Sequence, residues 1–415
     1  MSYREWKQWY YSLPWLLRWF VLLILLRPVI DNFYYLKNIS PFLSPLFIVG
    51  VLTPILSITA IFKWKTRFDS IIDFYFKLWT ILVFISIAFL FIFDPLSMLF
   101  YEYFLRLSMP VYIYFFARLF IRSKQDLNGV LQTFLYSSLF VFVVFLYEII
   151  VNPIRVVESR GLARIQGHYG DVLNYSIYLT LCFLISCYFY FSNNTMTQVK
   201  KMRNVLIVGV LAIMMLLNIH HSASYIVFGA LVLLFISFNF RENSSTTLFI
   251  VMVIVSVFYL FGQEVIEQKI NPLFQTDIAV YRGEKENDRL LHGRVGRWKM
   301  MWDEFSDSPI VAQFFGIPLK LDYPYYYIST NAHNDFFRIM MFTGFIGVGV
   351  YVLILINLYF RVRYLYRPQR FLALAGLLLL ILYSITTTPT MYPSVLYIVY
   401  SVFAYISLPV NVIKT

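Results

Sequence analysis

Charged side chains and cysteines are both scarce in this chain. Only 13% of its 415 residues are Asp, Glu, Lys or Arg, about half the share carried by an ordinary soluble domain. So little charge cannot solvate a water-soluble fold of this length. The two cysteines, Cys182 and Cys187, share one apolar run. Five residues apart on a helix they point in different directions, so no disulfide is expected. No Walker-type phosphate loop, dinucleotide fingerprint, D-x-D pattern or H-E-x-x-H stretch occurs in the sequence. No nucleotide, cofactor or metal is therefore expected to take part in the chemistry. A removable signal peptide is not expected either. Arg18 and Arg27 interrupt the first apolar run, and no small-residue cleavage pattern follows it.

Apolar residues fill the remainder: 60% of the chain is hydrophobic, with a mean hydropathy of +0.69 and 42 Phe and 33 Tyr. Apolar runs of about 18–25 residues recur along the whole length, each long enough to cross a bilayer. The expected fold is an all-α polytopic membrane protein with about twelve spans. They are read at 14–36, 41–62, 72–93, 98–120, 128–150, 171–192, 204–219, 222–240, 247–263, 333–360, 370–387 and 391–410. The organisation is then spans one to nine within residues 1–263, a large loop over 264–332, and spans ten to twelve within 333–415.

The net charge of +12 follows this topology. With the N-terminus inside, the inner segments carry Arg4 and Lys7, Lys63 to Arg67, Arg118 to Lys124, Lys200 to Arg203, Arg241, Arg361 to Arg370 and Lys414. Outer loops carry few basic residues, apart from 151–170 and 264–332. That asymmetry puts both termini in the cytoplasm and leaves no basic face for nucleic acid. Inner loops of about 7–12 residues are too short to fold a catalytic domain. Any chemistry belongs to the outer face or the membrane.

Three groups of residues on that face could carry it. Segment 151–170 supplies Arg155, Arg160 and Arg164 among Gly161, Gly167 and Gly170. Guanidinium forks beside glycines suit phosphate, although a loop with interfacial arginines would look the same. In "ENDRLLHGRVGRWKMMWDEF" an amphipathic helix is expected after a glycine break, with Arg294 and Trp298 on one face and Arg297 on another. His333 follows Ser329, Thr330 and Asn331, any of which could cap the next helix and leave His333 in its first turn. There the helix dipole disfavours imidazolium, so the ring stays neutral, and Asn334 or Asp335 could orient it. Glu102 and Arg106 read as an internal ion pair, and 283–288 ("GEKEND") as a solvated turn. His220 and His221 would need further ligands to hold a metal.

"HNDFFRIMMFTGFIGVG" (333–349) resembles the His-Asn and Gly-x-x-Gly pattern of the O-antigen ligase and polymerase superfamily. "GRVGRW" resembles its Gly-Arg-x-x-x-Trp element at Gly293, Arg294 and Trp298, and "RIQG" its Arg-x-x-Gly element at Arg164 and Gly167. Two features depart from the family. "HHSASY" (220–225) lacks the arginine of a Ser-Arg-Gly element, and "GHYGDVLN" replaces a G-x-x-N-P-N stretch, leaving Arg160 or His168 as substitutes near acceptor or glycan. The resemblance implies glycan transfer from undecaprenyl pyrophosphate at the periplasmic face of the bacterial inner membrane. His333 would be the base, with Arg164 and Arg294 on the pyrophosphate. Arg160, Arg297, Trp298, Asn334 and Asp335 would support these groups or touch glycan. Implied partners are the lipid-linked oligosaccharide, the bilayer and a chain-length regulator.

Polymerisation of O-antigen or exopolysaccharide repeats is favoured over ligation to lipid A-core. The large loop holds eight Lys/Arg against ten Asp/Glu, a poor match for an anionic core, and "YPYYYIST" (323–330) offers aromatic faces to sugars. A lipid-linked sugar transporter would be expected to show internal repeats and midplane charges, and no clear repeat is found between the halves.

Overall fold

The computed structural model describes residues 1–40, 43–64, 69–93, 98–151, 156–159, 162–167, 169, 171–192, 196–240, 243–319 and 332–410. Helix dominates them, as it must where lipid offers backbone groups no hydrogen-bond partner. The order is α1 (Tyr3–Ser12), α2 (Trp15–Asn32), α3 (Leu36–Ile39), α4 (Pro45–Lys63), α5 (Ile71–Phe93), α6 (Met98–Phe120) and α7 (Lys124–Ile150). A hairpin of β1 (Val156–Ser159) and β2 (Leu162–Ile165) comes next. It is followed by α8 (Val172–Ser192), α9 (Gln198–Ile219), α10 (Ser222–Phe240) and α11 (Ser244–Val265). The chain ends with α12 (Asn271–Tyr281), α13 (Leu290–Ser306), α14 (Ile310–Phe315), α15 (Asp335–Val362), α16 (Arg367–Thr386) and α17 (Pro393–Ile406).

Each of the twelve expected apolar runs overlaps a helix. Among the described residues, eight helices are long and apolar enough to cross a membrane: α4, α5, α7, α8, α9, α10, α15 and α16. Helix α2 carries Arg18, Arg27 and Asp31, and α17 is only 14 residues long. Internal prolines Pro28, Pro54 and Pro110 sit in α2, α4 and α6. Serine and threonine hydroxyls bond back one turn along these helices, as Thr53 does to the Val49 carbonyl at 2.7 Å.

The centre of the bundle is α17, whose fourteen residues are all buried. It packs on α6, α7 and α8. Two buried carboxylates in this interior are paired with arginines. Asp73 accepts both forks of Arg118 at 2.9 and 3.0 Å and the Tyr114 hydroxyl at 2.7 Å. Asp31 accepts Arg27 at 2.7 Å and the Tyr178 hydroxyl at 2.7 Å. The expected Glu102–Arg106 pair has side chains outside the described residues.

Within segment 264–332, the described residues 264–319 are mostly helical. Helix α11 runs through a π-helical turn, Ile266–Ile270, into α12, and α14 packs against α15. Two glycines set that last contact. Gly344 has φ +65° at a kink in α15, and Gly316 has φ +116° after α14. A Cβ on Gly344 would lie 2.2 Å from the Phe314 carbonyl, and one on Gly316 2.1 Å from the Phe342 oxygen. The Phe342 carbonyl also accepts the Ser86 hydroxyl across the bundle.

Gly344→Ala is accordingly expected to destabilise the protein by about 2–4 kcal/mol, from a left-handed Cβ and a backbone clash. Gly349→Ala, with open space around it, is the control. The comparison is read as the shift in apparent melting temperature in detergent, and equal melting of the two variants would refute this role for Gly344.

Candidate functional site

The first site is built where α13 meets the start of α15. Leu291, His292 and Gly293 take left-handed φ values of 50°, 62° and 79°, which break the chain before the regular part of α13. The break is held by Asp277, whose Oδ1 accepts the Leu291 N–H at 2.6 Å. From there Arg294 and Trp298, one turn apart, reach the same neighbourhood. Trp298 Nε1 donates to the Ala332 carbonyl at 2.7 Å, and its ring stacks on Phe337 at 5.8 Å with 10° between planes. Arg294 Nη1 donates to the Thr386 carbonyl at 2.8 Å. The residue before His333 is thereby clamped by the indole.

His333 lies outside the helix, in a correction of its expected place in the first turn. Asn334 is the N-cap, accepting from the Phe336 and Phe337 N–H groups at 2.9 and 3.1 Å. An asparagine oxygen satisfies orphan donors well, so the helix starts at Asp335 and not after residues 329–331. His333 itself has φ 47° and is half-buried. Its ring is pushed down to about 4, by burial first and then by Arg294 and Arg297. A neutral ring therefore has a different cause from the helix dipole invoked for it.

Asp335 faces away from solvent and toward the turn between α16 and α17. It accepts Arg338 Nε at 2.9 Å, the Thr390 N–H at 2.9 Å and the Thr390 hydroxyl at 2.8 Å. Arg338 in turn bonds Thr390. Asn334 donates to the Ile385 carbonyl at 3.3 Å. Both side chains thus anchor the helix start to residues 385–390.

Arg164 belongs to a second cluster. Alternation along β2 buries Leu162 and Arg164 while exposing Ala163, and the hairpin pairs Val157 with Arg164. β2 packs against α9, whose C-cap is His220 at φ 51°. His220 is pushed down to about 4 by burial, then by Lys269 and Arg164. Burial lowers the Arg164 pKa, opposed by Tyr225 and Asp171. Beneath the hairpin, Glu148 accepts the Gly167 N–H at 2.9 Å and the Tyr175 hydroxyl at 3.0 Å. Gly167 has φ +59°, the left-handed turn that a glycine there permits.

The turn at 385–392 joins the two clusters. Thr386 receives Arg294, Ile385 receives Asn334, Thr390 holds Asp335, and the Tyr392 hydroxyl donates to Asp171 at 2.5 Å. Asp171 also caps Leu173 at 2.6 Å. Sequence reasoning passed over this turn, although "TTTPTMYP" (386–393) is a polar patch between two apolar runs. It also took 151–170 as a loop, although Val156 and Val157 before a glycine and "LARI" after it have a hairpin's pattern.

The turn at 283–288 is exposed as expected, and it also walls a cavity. About 720 Å³ open between Thr276, Lys285, Glu286, Arg289, His292 and Gly293, next to Arg294. Arg155, Arg160, His168 and 323–330 lie outside the described residues.

Residues 207–352 match the family model described as O-antigen ligase. No curated protein matches the chain. One chain of a solved structure, described as "Structural coordination of polymerization and crosslinking by a peptidoglycan synthase complex", is similar at 14% identity and a TM-score of 0.44. The alignment covers 82% of this chain and 96% of that one. A likeness at that level carries no argument here.

The geometry separates anchoring from chemistry. Asp335→Ala leaves the buried Arg338 unpaired and is expected to cost about 3–5 kcal/mol, a clear fall in melting temperature. His333→Ala removes a half-buried ring outside the helix and is expected to melt close to wild type. The opposite order in a detergent melting series would contradict this division.

Proposed function

We propose, on the support of the match of residues 207–352 to the O-antigen ligase family model, that this chain acts as a member of the O-antigen ligase/polymerase superfamily and transfers a glycan from undecaprenyl pyrophosphate to a sugar hydroxyl. The reaction takes place at the outer face of the inner membrane, in a chain that crosses the bilayer twelve times with both termini inside. The observation that carries the reading is a half-buried His333 next to the Trp298 clamp on Ala332, its ring pushed down to about 4 by burial and then by Arg294 and Arg297.

In this mechanism the acceptor hydroxyl gives its proton to the His333 imidazole as its oxygen bonds the anomeric carbon. The bond from that carbon to the pyrophosphate oxygen breaks, and the electron pair leaves with the lipid pyrophosphate. Arg294 and Arg164 bind that departing charge, with Arg297 beside Arg294. Positioned donors of this kind act most strongly where charge develops in a site of low dielectric. The energy resides in the donor's activated bond, so no metal or nucleotide is invoked.

Electrostatics also gives the base its timing. A ring at about 4 between two arginines is a weak base. A bound pyrophosphate offsets those cations, so the imidazolium is favoured and the pKa rises in the complex. The strongest base then exists only with donor in place.

The acceptor is proposed to be another lipid-linked repeat, which makes the protein a polymerase. Support comes from the near balance of charge in 264–332, eight basic against ten acidic residues, which does not suit an anionic lipid A-core. A chain-length regulator is the protein partner this role implies.

A knockout followed by glycan gels separates the two acceptors. Core bearing a single repeat is expected; bare core with long chains stranded on undecaprenyl pyrophosphate would establish a ligase instead. His333→Ala is expected to lower turnover by about 10²–10⁴ at normal expression. In wild type, the acid limb of kcat is expected at a higher pH than that of kcat/KM, which reports the free ring. Normal glycan from the alanine variant, or coincident limbs, would remove His333 from this role.

A further inference from the structure

Arg164 and His220 are both buried. Arg164 is 8% exposed and His220 2% exposed. Among the described residues, Arg164 Nε and Nη2 and His220 Nδ1 are buried with no hydrogen-bond partner. A guanidinium withdrawn from water with two idle donors is costly, and the cost is normally met by an anion or a carbonyl. His220 adds a further idle polar atom to the same place, held there by a left-handed C-cap at the end of α9. Lys269, on the π-helical turn, is a third basic group facing it. Acidic Asp171 is turned to Tyr392 and to the Leu173 N–H.

We propose that Arg164 and His220 form one buried anion site, in which His220 is a substrate-binding residue donating from Nδ1 to the pyrophosphate of the lipid donor. The inference rests on the placement of Arg164 at that pyrophosphate. Its content is new for His220, which occupies the stretch where the family pattern has an arginine. A neutral imidazole with Nδ1 protonated supplies one hydrogen bond, and the protonated ring supplies the same bond with charge assistance.

A pH signature follows, with the sign fixed by the neighbours. Without ligand, His220 faces Arg164 on β2 and Lys269 on the π-helical turn, and its ring stays neutral down to about 4. Tyr225 on α10 and Asp171 face Arg164, and His221 is bonded to Ser224 at 2.8 Å. A bound dianion between the cations raises the His220 pKa. Donor affinity is then greatest at low pH and is lost as pH rises through the raised value.

The test uses full-length protein in nanodiscs and undecaprenyl pyrophosphate as the probe, titrated at about pH 6 and about pH 8, either side of an ordinary histidine. Two variants suit the left-handed backbone: His220→Gly removes the side chain, and His220→Asn keeps a donor that cannot titrate. Melting temperature checks that each is folded. Wild type is expected to bind more tightly at the lower pH. His220→Gly should lose about tenfold there, and His220→Asn should retain part of the affinity without pH dependence. Wild-type affinity and pH dependence in folded His220→Gly would overturn the role of His220. In that case Arg164→Ala decides the wider question: weakened binding leaves Arg164 on the pyrophosphate, and unchanged binding removes that reading too.

Discussion

A single buried carboxylate organises the candidate site. Asp335, fully buried, gathers Arg338, the Thr390 N–H and the Thr390 hydroxyl, and so joins the first turn of α15 to the turn between α16 and α17. Three further residues of the site are tied to that turn. Arg294 docks on Thr386, Asn334 on Ile385, and Asp171, ahead of α8, on Tyr392. An ionised group in a low-dielectric interior is tolerated only when fully paired, and here its partners fix where one helix begins relative to another. Arg294 is held by a backbone carbonyl of this turn, so its placement does not depend on a substrate.

His333 and His220 are both kept neutral by burial and neighbouring cations, and Arg164 holds idle donors. Two imidazoles and several guanidiniums arranged this way are poised for an anion, whose arrival would change the proton affinity of both rings. In the proposed reaction, binding and proton transfer would then be coupled by Coulomb interactions.

Fold class was legible in the sequence because lipid leaves few alternatives: long apolar runs must become helices, and each of the twelve runs coincides with one. The O-antigen ligase resemblance was legible through a few residues with a local geometric duty. Trp298 clamps Ala332, Asn334 caps α15, and Gly344 accommodates α14. Less legible were contacts made across the chain. Nothing near Asp335 in sequence announces Thr390, 55 residues away, and His333 was set too deep in the helix because the cap was sought at residues 329–331 and lies at Asn334. The hairpin that turns Arg164 inward was hidden in a short segment where two four-residue strands give little periodic signal. His220 was considered only as a metal ligand, since burial without a partner cannot be read from a linear string.

The central claim is that this protein is an enzyme driven by its lipid-linked donor rather than a carrier driven by a gradient. The most direct measurement is turnover by the purified protein in detergent, with an undecaprenyl-pyrophosphate-linked repeat, excess EDTA and no nucleotide. Longer lipid-linked glycans are expected, with release of one undecaprenyl pyrophosphate per linkage formed, and turnover lower by about 10²–10⁴ from His333→Ala. Intact donor in detergent, together with gradient-dependent movement of that donor across sealed proteoliposomes, would contradict it.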